Sequence, residues 1–234
     1  AEAYPDRIKL LPSEKNLGVM SNLLRTLKEC SGIYVCLCEG DDYWINSRKI
    51  DLQLKVFERF AETSLVFHNS KVVYEGLPEG KPSFFIEQET PSILKTEDII
   101  QNFSIPTASM MFRRDLLKIP VWLEEIYNGD FAISLLLSIE GEVRKLEGTH
   151  SVYRKNFAGL SGTYPRFNVP IRIIELLTLF DYQSNYRFKQ TIKGKKIELV
   201  KTLKVIAFSS RSRRQKILDL NFLFRKFVRE GGKE

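Results

Sequence analysis

The apolar run Ile33-Tyr34-Val35-Cys36-Leu37-Cys38 stops abruptly at Glu39-Gly40-Asp41-Asp42 and is followed by Tyr43-Trp44. Six consecutive apolar or β-prone residues are too few for a buried helix and suit a buried strand, which the acidic turn then ends. Carboxylates placed just beyond the C-terminal end of such a strand stand where open α/β sheets bind their ligands. With Gly40 letting the backbone turn, Glu39, Asp41 and Asp42 could converge on one hard divalent cation, which prefers oxygen ligands.

The sequence on either side fits a layered α/β protein. Arg7–Pro12 reads as a short strand. Leu17, Met20, Leu23, Leu24 and Leu27 recur at helical spacing and predict a helix that ends near Ser31-Gly32, so the acidic strand follows as a central one. Asn46 or Ser47 can cap a second helix running to about Ala61, with Ile50, Leu54, Phe57 and Phe60 on its apolar stripe. Thr63–Tyr74 reads as a strand, Glu75–Pro91 as a long loop, and Thr96–Ile100 as a short helix. Pro106–Phe112 reads as a strand and Trp122–Tyr127 as helical. Asp130 is placed to cap a helix whose residues Phe131, Ile133, Leu135, Leu136, Leu137 and Ile139 are nearly all apolar and therefore buried. Gly141–Leu146 and Ser151–Arg154 read as two final strands. Three basic amphipathic helices follow, over 168–186, 192–208 and 211–228.

Charge divides the chain into two parts. From Thr163 to Glu234 there are 17 Lys+Arg against 6 Asp+Glu, whereas residues 1–162 carry a net −4 within the overall +7. The expected organisation is a catalytic α/β domain over 1–162 and a basic helical extension over 163–234, the latter able to face anionic lipid, nucleic acid or an acidic substrate. No recognisable nucleic-acid motif accompanies it. Cys30, Cys36 and Cys38 are too few and too close for a disulfide framework and read as small buried side chains of a reduced cytosolic protein. His68 and His150 read as structural, hydrogen-bonded histidines. No stretch reaches the roughly 18–20 apolar residues of a membrane span, and Ala1–Asp6 has neither the basic start nor the apolar core of a signal peptide.

Taken in order, Asn16-x-Gly18, Gly32-x-Tyr34, Glu39-Gly40-Asp41-Asp42-Tyr43-Trp44, Ser109–Arg113, Gly129-Asp130 and Tyr153-Arg154 resemble the inverting, nucleotide-sugar-dependent glycosyltransferases of family two, whose fold is called GT-A. The resemblance covers roughly residues 5–160. It implies a mixed sheet flanked by helices and a sugar donor such as a UDP-sugar. It also implies a Mg²⁺ or Mn²⁺ ion and a glycan or lipid-linked acceptor at the cytoplasmic face of the cell membrane. Carried over by position, Asn16, Gly18, Glu39, Asp41 and Arg154 would contact the donor. Asp41 would be the metal ligand with Asp42 as the alternative, and Asp130 would be the general base.

Two departures accompany the likeness. Where the family's Tyr-Arg segment carries a histidine two residues on, this chain has Asn156, a neutral ligand, which leaves phosphate contact to Arg154 or Lys155. The strand-helix-strand unit that holds the nucleotide base in the family has no counterpart before Asn16, so the expectation is an N-terminally truncated GT-A domain. Ala158–Gly162 could close over the donor or serve as a plain linker, and Tyr43-Trp44 could stack on a ligand or plug the core. Two other classes stay open: a non-catalytic binding module whose basic helices grip a membrane surface or nucleic acid, and a metal-dependent phosphoryl enzyme.

Overall fold

The computed structural model describes residues 4–156, apart from 77, 79–81, 88 and 103–104, together with residues 168–209. The architecture is mixed α/β, as expected: one curled mixed sheet with helices against it. Its spine is a parallel pair of long strands, β3 (Thr63–Tyr74) and β7 (Glu142–Lys155), registered from Thr63 opposite Glu142 to Tyr74 opposite Lys155. Short strands extend each half of this spine differently. Along the first half, β6 (Met111–Arg113) pairs with β3 and carries β1 (Tyr34–Cys36) on its far side, while β5 (Ile93–Leu94) pairs with β7. Along the second half, β4 (Ser83–Phe84) takes over on β3 and β2 (Tyr43–Trp44) on β7.

The change of neighbours occurs where β7 carries extra residues. Phe67 faces Lys145 and Asn69 faces Thr149, so two steps on β3 match four on β7. Such an excess is a bulge, which bends the strand and re-aims the residues beyond it. Gly148 supplies the positive φ of 93° that the bend requires. The segments expected as two strands, Gly141–Leu146 and Ser151–Arg154, are therefore one bent strand, because the sequence signal breaks at the bulge while the pairing does not.

The helices are α1 (Val19–Glu29), α2 (Lys49–Arg59), α3 (Thr96–Gln101), α4 (Gly129–Ser138), α5 (Asn168–Gln183) and α6 (Lys189–Ser209). One apolar cluster joins Met20, Leu24 and Leu27 of α1, almost the whole of α4, the sheet residues Leu65, Phe67, Phe112 and Val143, and Ile171, Leu177, Phe180, Ile192 and Leu203 of α5 and α6. The expected extension thus shares its core with the α/β part over the residues described. The boundary at 162/163, the loop Ala158–Gly162 and the third basic helix at 211–228 lie outside them.

Several local expectations are corrected. Arg7–Pro12 is not a strand: the backbone N–H groups of Arg7 and Ile8 turn back onto the Tyr4 carbonyl, and the Arg25 guanidinium of α1 takes up the carbonyls of Leu11 and Pro12. β1 is three residues long and stands at the end of the strand order rather than at its centre, with Ile33 72% exposed. Pro106–Phe112 divides into a 3₁₀ turn, Thr107–Ser109, and β6, since Pro106 lacks the N–H that a ladder needs. Val121–Glu124 is a 3₁₀ turn where a helix over Trp122–Tyr127 was expected. Asp130 does not cap α4: Asn128 holds the cap position, and Asp130 sits inside the first turn.

Candidate functional site

The acidic turn leaves β1, and its three carboxylates take different roles. Asp42 points inward and is 8% exposed; its Oδ1 accepts the backbone N–H of Arg154 at 2.9 Å, which latches the turn to β7. Its Oδ2 is buried with no hydrogen-bond partner. Burial pushes the Asp42 carboxyl up to about 6, against the opposing Arg154 N–H. Asp41 is exposed, and its carbonyl accepts the Nε–H of Arg154. Arg154 thus holds the turn twice, through its backbone to Asp42 and through its guanidinium to Asp41.

Glu39 opens the turn, its carbonyl accepting the Asp42 N–H at 3.0 Å. Burial in the surrounding protein raises its pKa to about 7, with Asp130, Asp42 and Asp41 adding like-charge repulsion and a hydrogen bond with Thr107 opposing. Solvent still reaches Glu39, so water screens part of this effect. Thr107 stands between the two acidic groups, and its Oγ1 donates to Asp130 Oδ2 at 3.3 Å. Asp130 is half-buried, its Oδ1 accepts the N–H of Phe131 at 2.8 Å, and burial raises its pKa in spite of both bonds. Thr107 thus donates to Asp130 and lies near enough to Glu39 to oppose the rise in its pKa. Thr107 was not among the expected site residues, and nothing in a lone Pro-Thr step marks it.

Asp130 is placed by packing. The side-chain burial along α4 fixes its rotation, and Gly129 lets α1 approach so closely that a Cβ there would stand 2.7 Å from Met20 Sδ. Asn16 and Gly18 lead into that same helix: Asn16 Oδ1 accepts the Gly18 N–H at 2.9 Å, and Gly18 caps α1 with φ 80°. Both are exposed, and their hydrogen bond shapes the entrance to α1.

A polar layer lies beneath the site. Lys49, in the first turn of α2, is 1% exposed; its Nζ donates to Gln53 Oε1 at 2.8 Å and lies 4.2 Å from the centre of the Trp44 ring. Burial lowers its pKa. Gln53, fully buried, donates to the carbonyls of Val66 at 3.1 Å and Ser109 at 2.8 Å, while Trp44 Nε1 donates to the carbonyl of Ala108 at 3.0 Å. Two successive carbonyls of the turn bearing Thr107 are thus held from below. Trp44 is neither a core plug nor free for a ligand at its indole N–H; 39% exposed, it serves as a brace.

The histidines differ from expectation in one respect. His150 is satisfied at both nitrogens, accepting from Asn46 Nδ2 at 2.8 Å and donating to the Glu147 carbonyl at 2.9 Å. His68 is fully buried and donates from Nδ1 to the Asn69 carbonyl, but its Nε2 has no partner, and burial takes its pKa down to about 3. The two rings pack edge to face at 4.9 Å. All three cysteines are free; none is fully buried as expected, and burial raises the pKa of Cys36 and Cys38.

Among the described residues, no three His, Cys, Asp or Glu side chains stand close enough to cage a metal by themselves. The donor set of the acidic turn fits a hard cation that takes one or two protein carboxylates and completes its shell from water and phosphate. The buried, unpartnered Asp42 Oδ2 and the exposed Asp41 supply oxygens of that kind.

Comparison with known proteins yields relatives without an assigned role. The chain is 31% identical over 162 residues to uncharacterized proteins of Mycobacterium bovis and Mycobacterium tuberculosis, a stretch making up 68% of this chain and 45% of each relative. The chain therefore spans less than half the length of the curated relatives it matches. No family model matches it.

Proposed function

We propose that the chain carries the metal and base side of an inverting glycosyltransferase site, which moves a sugar from a nucleoside-diphosphate donor such as a UDP-sugar to a hydroxyl of a cell-surface glycan or lipid-linked acceptor. The observation that carries this reading is the proximity of Glu39 and Asp130, two acidic groups from separate elements whose charges repel, with Thr107 donating to Asp130. Transfer with inversion forms a bond from the acceptor oxygen to the anomeric carbon as the bond from that carbon to the diphosphate breaks. The acceptor proton goes to Asp130, which burial makes a stronger base than a free aspartate.

Asp41 and Asp42 would hold a Mg²⁺ or Mn²⁺ ion, which when bound neutralises charge growing on the departing diphosphate. Arg154, fixed by its Nε to the Asp41 carbonyl, would turn its remaining N–H groups to a phosphate. Asp42 has a second duty as the latch to β7, so its loss would disturb the turn as well as any ligand.

The test is release of nucleoside diphosphate from a panel of nucleotide sugars, with Mg²⁺ or Mn²⁺ and a glycan or lipid-linked acceptor. Asp130→Asn should lower turnover by about 10²–10⁴-fold while leaving donor binding intact. Asp41→Ala should weaken the cation's effect. Full turnover in both variants would overturn the reading.

A further inference from the structure

We infer that one face of α6, together with the turn leading into it, is a docking surface for an anionic lipid bilayer. This rests on the geometry of α6 and stands whether or not the glycosyltransferase reading holds. Lys189, Lys193, Ile197, Lys201 and Lys204 recur at three- and four-residue spacing and share one exposed stripe, with Val205 at its edge. Ile197 is 49% exposed and Val205 68%. Among the described residues, no carboxylate pairs with Lys193, Lys201 or Lys204.

The other lysines of the helix turn away. Lys195 donates to the Gln101 carbonyl at 2.7 Å and pairs with Glu198, while Lys196 is half-buried, its pKa lowered by burial. These bonds fasten α6 to the end of α3 and leave its outer face unpartnered. At the start of the stripe, Asn185 and Tyr186 adopt positive φ and turn the chain so that Tyr182 and Tyr186 stand 71% and 50% exposed, their rings edge to face at 6.4 Å. Lys189 Nζ lies 5.6 Å from the centre of the Tyr186 ring.

Lysines, exposed aliphatic side chains and tyrosines on one face match the boundary of an anionic bilayer: ammonium groups meet headgroups, tyrosines sit at their level, and Ile197 and Val205 reach the acyl margin. Nucleic acid would use the lysines but gains nothing from Ile197 or Val205. No helix among the described residues is long and apolar enough to cross a membrane, so contact through α6 would lie along the surface.

The test is flotation of the full chain with phosphatidylcholine vesicles that contain or lack phosphatidylglycerol, at low and high salt. Binding is expected only with phosphatidylglycerol and should fall as salt screens it. Replacing Lys193, Lys201 and Lys204 by Gln should lower partitioning about 100-fold, from about five-fold per lysine at the surface. Ile197→Ser with Val205→Ser should lower it while keeping the salt dependence, and Lys118→Gln, elsewhere on the surface, should leave it unchanged. Equal binding to neutral vesicles, full binding by the triple variant, or retention by duplex DNA with none by vesicles would overturn the inference.

Discussion

Gln53→Met should be among the costliest single changes in this protein outside the apolar core, and the polar layer gives its size. Gln53 makes three hydrogen bonds while fully buried: it donates to Val66 and Ser109 and accepts from Lys49. Two neutral bonds lost are worth about 1 kcal/mol each, and the bond from a buried ammonium about 1.5–3 kcal/mol, for a sum near 4 kcal/mol. That is a large share of the roughly 5–15 kcal/mol by which domains are stable. With a urea slope of about 2 kcal/mol/M the unfolding midpoint should fall by about 2 M. Trp44 reports the event directly, since its ring lies against Lys49. A double change, Lys49→Met with Gln53→Met, removes the stranded charge and should recover about half of the loss. The pH dependence has a definite sign. Burial holds Lys49 below the ordinary lysine value, so the unfolded chain binds its proton more readily, and wild-type stability gains a rising component toward pH about 10 that Lys49→Met lacks. A loss under about 1 kcal/mol for Gln53→Met, or strict additivity in the double variant, would refute the account.

Asp42→Asn should alter stability with the opposite slope. A carboxyl raised to about 6 binds protons in the folded state that the unfolded chain has released, so wild-type stability falls as pH climbs from about 4 to about 6. Asparagine keeps an acceptor for the Arg154 N–H and removes that fall, on the order of 2 kcal/mol, as denaturant titrations at pH 4 and pH 7 would show; parallel slopes in the two proteins would refute it. Two glycines, at either end of α4, test its packing. A Cβ at Gly141 would stand 2.5 Å from the Glu62 carbonyl, a backbone atom, whereas at Gly129 it meets chiefly the flexible end of Met20. Gly141→Ala should therefore cost about 3 kcal/mol and Gly129→Ala about 1 kcal/mol in thermal unfolding, and the reverse order would contradict the packing described.

What could be read in the sequence was whatever a period or a turn residue encodes. The stripe of Met20, Leu24 and Leu27 gives α1, the continuous apolar run after Asp130 gives α4, and Gly40 with its acidic neighbours gives the turn, because each is a local pattern whose burial follows from spacing. The failures share a cause: they depend on partners distant in the chain. β1 reads as central from its apolar residues, yet strand order is settled by pairing with β6 some seventy-five residues later. The bend in β7 looks like a break between strands because a bulge interrupts the alternation. Trp44 reads as ambiguous and nothing in the sequence singles out Lys49 or Gln53, since polar side chains are buried only where partners exist, and those partners are the carbonyls of Val66, Ala108 and Ser109. That layer also explains why the acidic turn and Asp130 can meet at all. Like charges repel, so they stay together only if the structure between them is held from elsewhere. Gln53 and Trp44 hold the turn carrying Thr107, and Arg154 holds the turn carrying Asp41 and Asp42. These contacts hold Asp41, Asp42 and Asp130 near enough to Glu39 for their charges to raise its pKa.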